Sequence, residues 1–296
     1  SREALQRPPV ASRSPPRSVR SQYRAPRRSM ATTSTPLLKS LRRLYSSTVT
    51  RKRVLASVPK EVTFEAGGAA IQLEVSTWQT ANFVKNASRS GRFDYEPQET
   101  ALFLELLDGV DTFLDVGSHI GYYALLAAAT DRSRRVVSFE ILDSFADEVE
   151  RHARNNGLDN LSLERRAIGA GGEAVQFENY ADRSTKTGIS LDEYTAEHDL
   201  SPDLIKLDIE GHEVRGIGGM QRLLSEERPT LMLAFHPPMI RERGLEPVDA
   251  LLPLWEAGYV VEEVVDGAHG ELFGLRRVSR TTVPTELCML LCRSTR

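Results

Sequence analysis

The residues best suited to hold a small charged ligand lie in one short stretch of the sequence. An apolar run at 112–115 ends in the acid Asp115, Gly117 and Ser118 follow, and a helical pattern begins at Gly121. This order predicts a strand, a tight turn and a helix N-terminus. Such a junction turns backbone amides and the positive end of a helix dipole toward a ligand. The stretch is therefore the predicted centre of a cofactor site.

Two nucleotide cofactors compete for this stretch. A dinucleotide site requires Gly-x-Gly-x-x-Gly, because the pyrophosphate must approach bare backbone. Here His119 stands where the second glycine of that pattern would be, and Asp115 would repel a phosphate. An acid at this position suits a ligand that carries an ammonium or a sulfonium, which favours S-adenosylmethionine. A NAD(P)-dependent Rossmann oxidoreductase remains the alternative.

The residues that follow the remaining apolar runs include the polar Glu140, Asp208, Glu210, His212 and His236, and Ala167 after the third run. Because the carboxyl ends of parallel strands meet at one edge of a sheet, we expect them to share a site with Asp115. Glu140 can accept both hydroxyls of a ribose. Helix capping is the alternative role for Glu140, Asp208 and Glu210, and His236 could simply end a strand. Lys206 interrupts the fourth apolar run, and the sequence gives it no role.

Short apolar runs alternate with amphipathic segments over most of the chain. Strands are predicted at 112–115, 135–140, 161–165, 204–208, 230–235, 259–265 and 287–291, with a hairpin extension near 270–276. Helices are predicted at 97–108, 121–130, 144–156, 212–224 and 247–257, with loops at 85–92 and 179–189. This alternation predicts an α/β fold with a mostly parallel sheet and helices on both faces. The last two strands lack a connecting helix, which favours an antiparallel last strand.

Charge divides the chain into two unlike regions. Residues 1–60 contain fifteen Lys or Arg and one acid, a net charge of +14, so the remaining 23 basic and 40 acidic side chains give −17. The first region, rich in Arg, Pro and Ser, is predicted to be a largely disordered extension. Its basic segment after Met30 also fits an organellar transit peptide, or a natural start at Met30. We expect a hairpin-and-helix lid segment at 61–110 and the main domain at 111–296.

No apolar run is long enough to predict a transmembrane segment. The expected location is the cytoplasm, with mitochondrion or plastid as the alternative if the basic segment is a transit peptide.

The stretch Asp115-Val116-Gly117-Ser118-His119-Ile120-Gly121-Tyr122-Tyr123 resembles motif I of class I methyltransferases, and in particular that of the FkbM family. Further matching motifs follow in order: Phe139-Glu140, Asn156-Gly157-Leu158, Ala167-Ile168-Gly169, Ser190-Leu191-Asp192-Glu193, Lys206-Leu207-Asp208-Ile209-Glu210-Gly211-His212-Glu213 and Phe235-His236-Pro237. The family more often has Ala-Asn in place of Ser118-His119, which leaves the loop length intact. The resemblance covers about residues 93–292.

The resemblance implies a Rossmann-like class I methyltransferase fold with a seven-stranded sheet and an antiparallel last strand. It implies methyl transfer from S-adenosylmethionine, usually to a hydroxyl oxygen on a sugar, glycolipid or other small natural product. The cofactor-binding residues carried over by position are Asp115, Gly117 and Gly121 for the methionyl part, Ser118 of the same loop, Glu140 for the ribose, Ala167 near the adenine, and Asp208 facing the methyl group.

Methyl transfer to a hydroxyl needs a general base. The candidates are His212, Glu210, Asp208 and His236. The first two rank ahead because they flank the side of the site where the methyl group of the cofactor is expected. No metal site is predicted, although a divalent ion on Asp208 and Glu210 is an alternative.

The expected partner is a small-molecule or glycan acceptor, and the oligomeric state is left open. Nucleic acid is not expected, because amino methyltransferases of nucleic acids place a Pro-Pro motif after the fourth strand, whereas Pro237-Pro238 follows the fifth. A non-catalytic methyltransferase-like binding module is a further alternative.

Overall fold

The computed structural model describes residues 48–89, 92–178, 183–268 and 271–295. The predicted disorder and transit peptide therefore fall mainly outside the described residues. Helix α1, Thr48–Ala56, already lies within the region predicted as the N-terminal extension.

The other α-helices of the described part are α2 (Trp78–Ala87), α3 (Pro97–Leu106), α4 (Tyr122–Thr130), α5 (Asp143–Asn155), α6 (Leu191–Glu197), α7 (Glu213–Gly218), α8 (Pro237–Glu242) and α9 (Val248–Glu256). The strands are β1 (Glu61–Ala66), β2 (Ala69–Glu74), β3 (Ser88–Arg89), β4 (Arg92–Phe93), β5 (Thr112–Val116), β6 (Arg135–Phe139), β7 (Leu161–Glu164), β8 (Ala167–Ile168), β9 (Ala174–Glu178), β10 (Arg183–Ile189), β11 (Leu204–Leu207), β12 (Thr230–Phe235), β13 (Tyr259–Asp266), β14 (Phe273–Arg277) and β15 (Cys288–Ser294).

The centre of the fold is a sheet with the strand order β14-β13-β15-β12-β11-β5-β6-β7. Strands β12, β11, β5, β6 and β7 run parallel, and β15 runs antiparallel to both β12 and β13. The mostly parallel sheet with an antiparallel last strand is thus confirmed, and β14 extends its edge as an eighth strand. The chain order reverses between β5 and β11, so the carboxyl ends of these two strands face a crevice where ligands bind in such sheets.

Both faces of the sheet are covered, which explains why its strands are continuous apolar runs. All four residues of β11 are buried. Neighbouring residues of β5 point to opposite faces, so Phe113 belongs to one apolar cluster and Leu114 to the other. The site is therefore carried on a rigid, fully packed layer.

Three local predictions were wrong. The polar loop predicted at 179–189 contains β10, which pairs antiparallel with β9. The loop predicted at 85–92 contains the end of α2 and the short β3–β4 pair. The helix predicted at 212–224 ends at Gly218, where glycine lowers helix propensity, and Leu223–Glu227 forms a separate π-helical turn.

Helix α2 begins at a threonine cap and is fixed to the main sheet domain by buried polar contacts. The side chain of Thr77 accepts a hydrogen bond from Thr80 N, as expected of an N-cap. The Thr80 hydroxyl donates to Glu148 of α5 and lies 3.1 Å from His152 Nε2. All three side chains are buried, so they hold α2 in place beside the crevice.

None of the helices in the described ranges is both long enough and apolar enough to cross a membrane.

Candidate functional site

A cavity of about 340 Å³ opens at the carboxyl edge of the main sheet. Predicted site residues that line it are Gly117, Glu140, Ala167, Asp208, Glu210, His212 and His236. The structure thus brings together residues that are up to about 120 positions apart in sequence. Of the other predicted residues, Asp115, Ser118 and Gly121 lie behind the lining rather than on it.

The first loop of the site is pressed against the end of β11. Gly117 has φ +82°, and a Cβ added to it would lie 1.9 Å from Asp208 O. Its backbone N–H donates to Phe139 O at 2.9 Å, and Ser118 N–H donates to the same oxygen at 3.1 Å. Only glycine satisfies both the left-handed backbone and the close approach. The loop therefore joins the ends of β5, β6 and β11 into one wall.

Glu140 follows β6 and is held by backbone amides. Its Oε2 accepts from His119 N and its Oε1 accepts from Leu142 N, each at 2.8 Å. Burial raises the pKa of Glu140 to about 7, while the amide hydrogen bonds oppose this rise. Each carboxylate oxygen can accept a second hydrogen bond. Glu140 is thus a fixed acceptor on the cavity wall.

Asp115 and Lys206 are buried, and with the half-buried Asp208 they form a charged cluster at the ends of β5 and β11. Asp115 lies opposite Lys206 in the strand register, and Lys206 Nζ donates to Asp208 Oδ2 at 3.0 Å. Burial raises the pKa of Asp115 to about 6, with Lys206 opposing the rise. The pKa of the half-buried Asp208 is lowered despite partial desolvation, because Lys206 and His236 favour its ionised form.

His236, after β12, forms a close pair with a buried acid. Its Nδ1 lies 2.7 Å from Glu213 Oε1, and its Nε2 lies 3.7 Å from Asp208 Oδ1. Burial lowers the pKa of His236, but the hydrogen bond to Glu213 and the charge of Asp208 outweigh it, so the pKa is raised above its ordinary value. Glu213 is itself fixed by Gly211 N, which donates to Oε1 at 3.0 Å.

His212 and Glu210 occupy the loop after β11. Burial, together with the charge of Arg243, lowers the pKa of His212 to about 4. His212 Nε2 is buried and has no hydrogen-bond partner among the described residues. Glu210 has φ +44°, a left-handed conformation that is strained for a residue other than glycine. Its carbonyl oxygen accepts from Arg243 Nη2 at 3.1 Å.

Several residues that line the cavity were not named individually as site residues from the sequence. Asn82, Phe83 and Asn86 come from α2, and Tyr95 and Glu96 precede α3. Glu96 has φ +42° and accepts from Tyr123 Oη at 2.7 Å. These residues are distant in sequence from the glycine loop, and only the strained Glu96 before Pro97 carried a local signal of a turn.

His119 and Phe145 also line the cavity, and their rings lie 4.0 Å apart between centroids. Burial lowers the pKa of His119 to about 4, so it is neutral at physiological pH. In the described part of the chain, no group of three or more His, Cys, Asp or Glu side chains is arranged to hold a metal ion.

The sheet order, the glycine loop at the strand reversal and the acid after the next strand define a Rossmann-like class I methyltransferase, whose cofactor is S-adenosylmethionine. Residues 115–261 match the sequence model described as "Methyltransferase FkbM domain". This part of the chain is therefore a methyltransferase domain of the FkbM family. The match confirms the resemblance seen in the motifs and speaks against the NAD(P)-dependent alternative.

Comparison with curated protein sequences gives no significant match. Similar solved structures include an FkbM methyltransferase from Methylobacillus flagellatus, with 16% identity and a TM-score of 0.42 over 86% of this chain and 60% of that one. An O-methyltransferase from Bacillus cereus in complex with SAH has 13% identity and a TM-score of 0.42 over 88% and 99% of the two chains. M. jannaschii TYW2 in complex with AdoMet has 10% identity and a TM-score of 0.40 over 80% and 86%. Because these TM-scores lie below 0.5, the family assignment rests on the sequence match.

Proposed function

We propose that the protein transfers the methyl group of S-adenosylmethionine to a hydroxyl oxygen of a sugar, glycolipid or other small natural product. The observation that carries the proposal is the pair of His236 and Glu213 at the cavity. A hydroxyl is a poor nucleophile at neutral pH, and an imidazole held by a buried carboxylate is well suited to take its proton. The hydrogen bond of 2.7 Å between these two side chains fixes the ring.

The cavity wall fits the cofactor. Glu140 is a fixed acceptor with room for two ribose hydroxyls. Gly117 leaves the backbone bare where a Cβ would collide with Asp208 O. Ala167, with Ile141 and Ile168 beside it on the lining, offers an apolar surface for the adenine. When bound, S-adenosylmethionine supplies an electrophilic methyl group on a positively charged sulfonium.

In the proposed mechanism, His236 takes the proton of the acceptor hydroxyl. Glu213 Oε1 accepts from Gly211 N and acts as an acceptor toward His236 as well, so the proton of the neutral ring stays on Nδ1 and the lone pair is left on Nε2. Once Nε2 has accepted the proton, the imidazolium lies between Glu213 and Asp208, whose Oδ1 is 3.7 Å away. General-base help of this kind accelerates reactions typically by about 10²–10⁴.

The other candidate bases are less well supported. His212 has a pKa of about 4, so it is neutral but a weak proton acceptor, and its free Nε2 suits hydrogen bonding to the acceptor. Asp208 is ionised and engaged with Lys206, which suits it to stabilise a cation. The ranking by sequence, which placed His212 and Glu210 first, therefore changes in favour of His236.

The proposal is tested by incubating a cell extract with the protein and methyl-labelled S-adenosylmethionine, and identifying labelled products by mass spectrometry. We expect an O-methylated small molecule or glycan. A product labelled only on nitrogen or carbon would overturn the proposal, and so would label in no product under conditions where S-adenosylhomocysteine binds, the expected behaviour of a non-catalytic binding module.

The role of His236 is tested with His236→Gln, and His212→Gln is the matched control. Glutamine can keep the hydrogen bond to Glu213, so we expect affinity for S-adenosylhomocysteine to change by less than about threefold while turnover falls by about 10²–10⁴. We expect His212→Gln to keep turnover within about tenfold of the unsubstituted protein. Equal losses in the two variants would remove His236 as the proposed base.

A further inference from the structure

Lys206 is a lysine buried within the main sheet, and the reaction described above gives it no task. It is 3% exposed and does not line the cavity. Its neighbours on the adjacent strand and at its own strand end are acids, Asp115 and Asp208. Its ammonium also lies 4.8 Å from the centre of the Tyr123 ring, a favourable cation–π distance. A lysine placed this way can balance the charges of the neighbouring acids, but it does not contact a ligand in the cavity.

We propose that Lys206 is a positioning residue that allows Asp115 and Asp208 to be ionised side by side, so that the cavity presents negative charge to the cationic methionyl end of the cofactor. This proposal concerns cofactor binding and does not depend on which acceptor is methylated. Without a cation between them, the buried Asp115 and the half-buried Asp208 would tend to share a proton, because like charges disfavour ionisation of the second group.

The hydrogen bonds of the two acids around Lys206 support this role. Lys206 Nζ holds Asp208 Oδ2 at 3.0 Å, which leaves Asp208 Oδ1 toward His236 Nε2. Asp115 Oδ2 accepts from Ala124 N at 3.0 Å, whereas its Oδ1 is buried without a hydrogen-bond partner among the described residues. The charge of Asp115 is thus compensated by Lys206 rather than by hydrogen bonds to both oxygens.

The surroundings of Lys206 contain more acid than base. The charged and titratable groups that face it from the packed elements are Asp115 of β5, His119 and Tyr123 of the first loop and α4, Glu96 and Glu99 at the start of α3, and Asp208 at the end of its own strand, with His236 beyond Asp208. Its pKa is raised despite burial, because Asp208, Asp115 and Glu96 favour the ammonium. Lys206 is therefore charged at any pH used for binding measurements.

The test is calorimetric titration of the full chain with S-adenosylhomocysteine, which carries the same methionyl ammonium, between pH 6 and pH 9. The variants are Lys206→Met and Lys206→Arg, and the exposed Lys60→Met is the control. The quantity compared is the ratio of variant to unsubstituted dissociation constants at each pH, in which the titration of the ligand itself cancels. Removing a neighbouring cation raises a carboxyl pKa by about 1–3 units.

We expect Lys206→Met to bind about tenfold more weakly at pH 7 and to recover to within about twofold at pH 9, because the carboxylates then ionise without help. Lys206→Arg should show a ratio that does not change with pH, and Lys60→Met a ratio near one. A loss in Lys206→Met that is the same at every pH would mean a packing role and would overturn the proposal, as would no loss at any pH.

A second measurement covers the case in which Lys206→Met folds poorly. The double variant Asp115→Asn, Lys206→Met removes one of the two acids together with the lysine. If the lysine compensates carboxylate repulsion, Asp115→Asn should raise the unfolding temperature more in the Lys206→Met background than in the unsubstituted protein. An equal or smaller increase in the Lys206→Met background would contradict the proposal.

Discussion

Replacing Asp115 by asparagine should stabilise the fold at pH 8 while it weakens cofactor binding. Burial raises the pKa of Asp115 from its ordinary 3.8 to about 6, and at 1.36 kcal/mol per pKa unit the ionised form costs the folded state about 3 kcal/mol. The asparagine oxygen can still accept from Ala124 N. Its amide nitrogen is buried without a partner, which costs about 1–2 kcal/mol. The expected net gain at pH 8 is therefore about 1–2 kcal/mol in the free energy of unfolding.

The stabilising effect of Asp115→Asn should depend on pH. A carboxyl group whose folded pKa is raised penalises the folded state above that pKa. The penalty is relieved as pH falls from about 6 toward 3.8, because the folded chain then binds a proton before the unfolded chain does. About half of the 3 kcal/mol should be relieved by pH 5. The advantage of Asp115→Asn over the unsubstituted protein should therefore shrink by about 1–2 kcal/mol between pH 8 and pH 5.

Urea unfolding at pH 8 and pH 5 measures both quantities, with the exposed Glu65→Gln as a control that should change stability by less than about 0.5 kcal/mol. Calorimetry with S-adenosylhomocysteine should show weaker binding by Asp115→Asn. A burial cost at Asp115 is refuted if Asp115→Asn is less stable than the unsubstituted protein at pH 8 and the difference is the same at pH 5.

Three further predictions concern the glycine loop, helix α2 and the proposed base. Gly117→Ala should lower stability by more than about 3 kcal/mol, because its Cβ would meet Asp208 O at 1.9 Å. Gly68→Ala shares the positive φ but meets no atom within 4 Å, so thermal unfolding should show a loss of only about 1 kcal/mol, and equal losses would discount the collision. Thr80→Val should cost about 1–3 kcal/mol, since it removes the hydroxyl that donates to buried Glu148, and unchanged urea unfolding would contradict this. Methyl transfer should fall as pH drops below the raised pKa of His236, whereas a rate independent of pH between 5 and 8 would argue against a histidine base.

The buried acids of the site illustrate a trade between stability and function. Glu140 and Asp115 both have raised pKa values because they are buried, and each burdens the folded state at neutral pH. A site that binds a cation and ribose hydroxyls needs such groups in place before the ligand arrives. The packing of the surrounding strands offsets the free-energy cost of burying these charges.

Much of this arrangement could be predicted from local sequence. The apolar runs of β5, β6, β11 and β12 gave strands within about a residue of their observed bounds. The acid or histidine after each strand could be assigned to one edge, because parallel strands share their carboxyl edge. The glycines of the first loop could be recognised because a left-handed turn and a close backbone approach require them.

Other parts could not be read this way, because their signals are not local. Helix α2 follows the β1–β2 hairpin with only Thr77 as a cap, and its contribution to the cavity depends on the contact of Thr80 with Glu148. Strand β10 is polar and forms because β8 and β9 flank it. A period of two or 3.6 residues does not reveal which distant element supplies the partner.

The sequence by itself determined that the chain carries a class I methyltransferase domain, because strand and helix periods and a glycine loop with its neighbouring acids are properties of consecutive residues. Only the tertiary structure decided the charge states and partnerships within the site. The pairing of Lys206 with Asp208, of His236 with Glu213, and the place of Asp115 behind the wall all depend on strand register and burial. These long-range contacts set the pKa values, and so they turn an edge of polar residues into a site that can hold a cation and accept a proton.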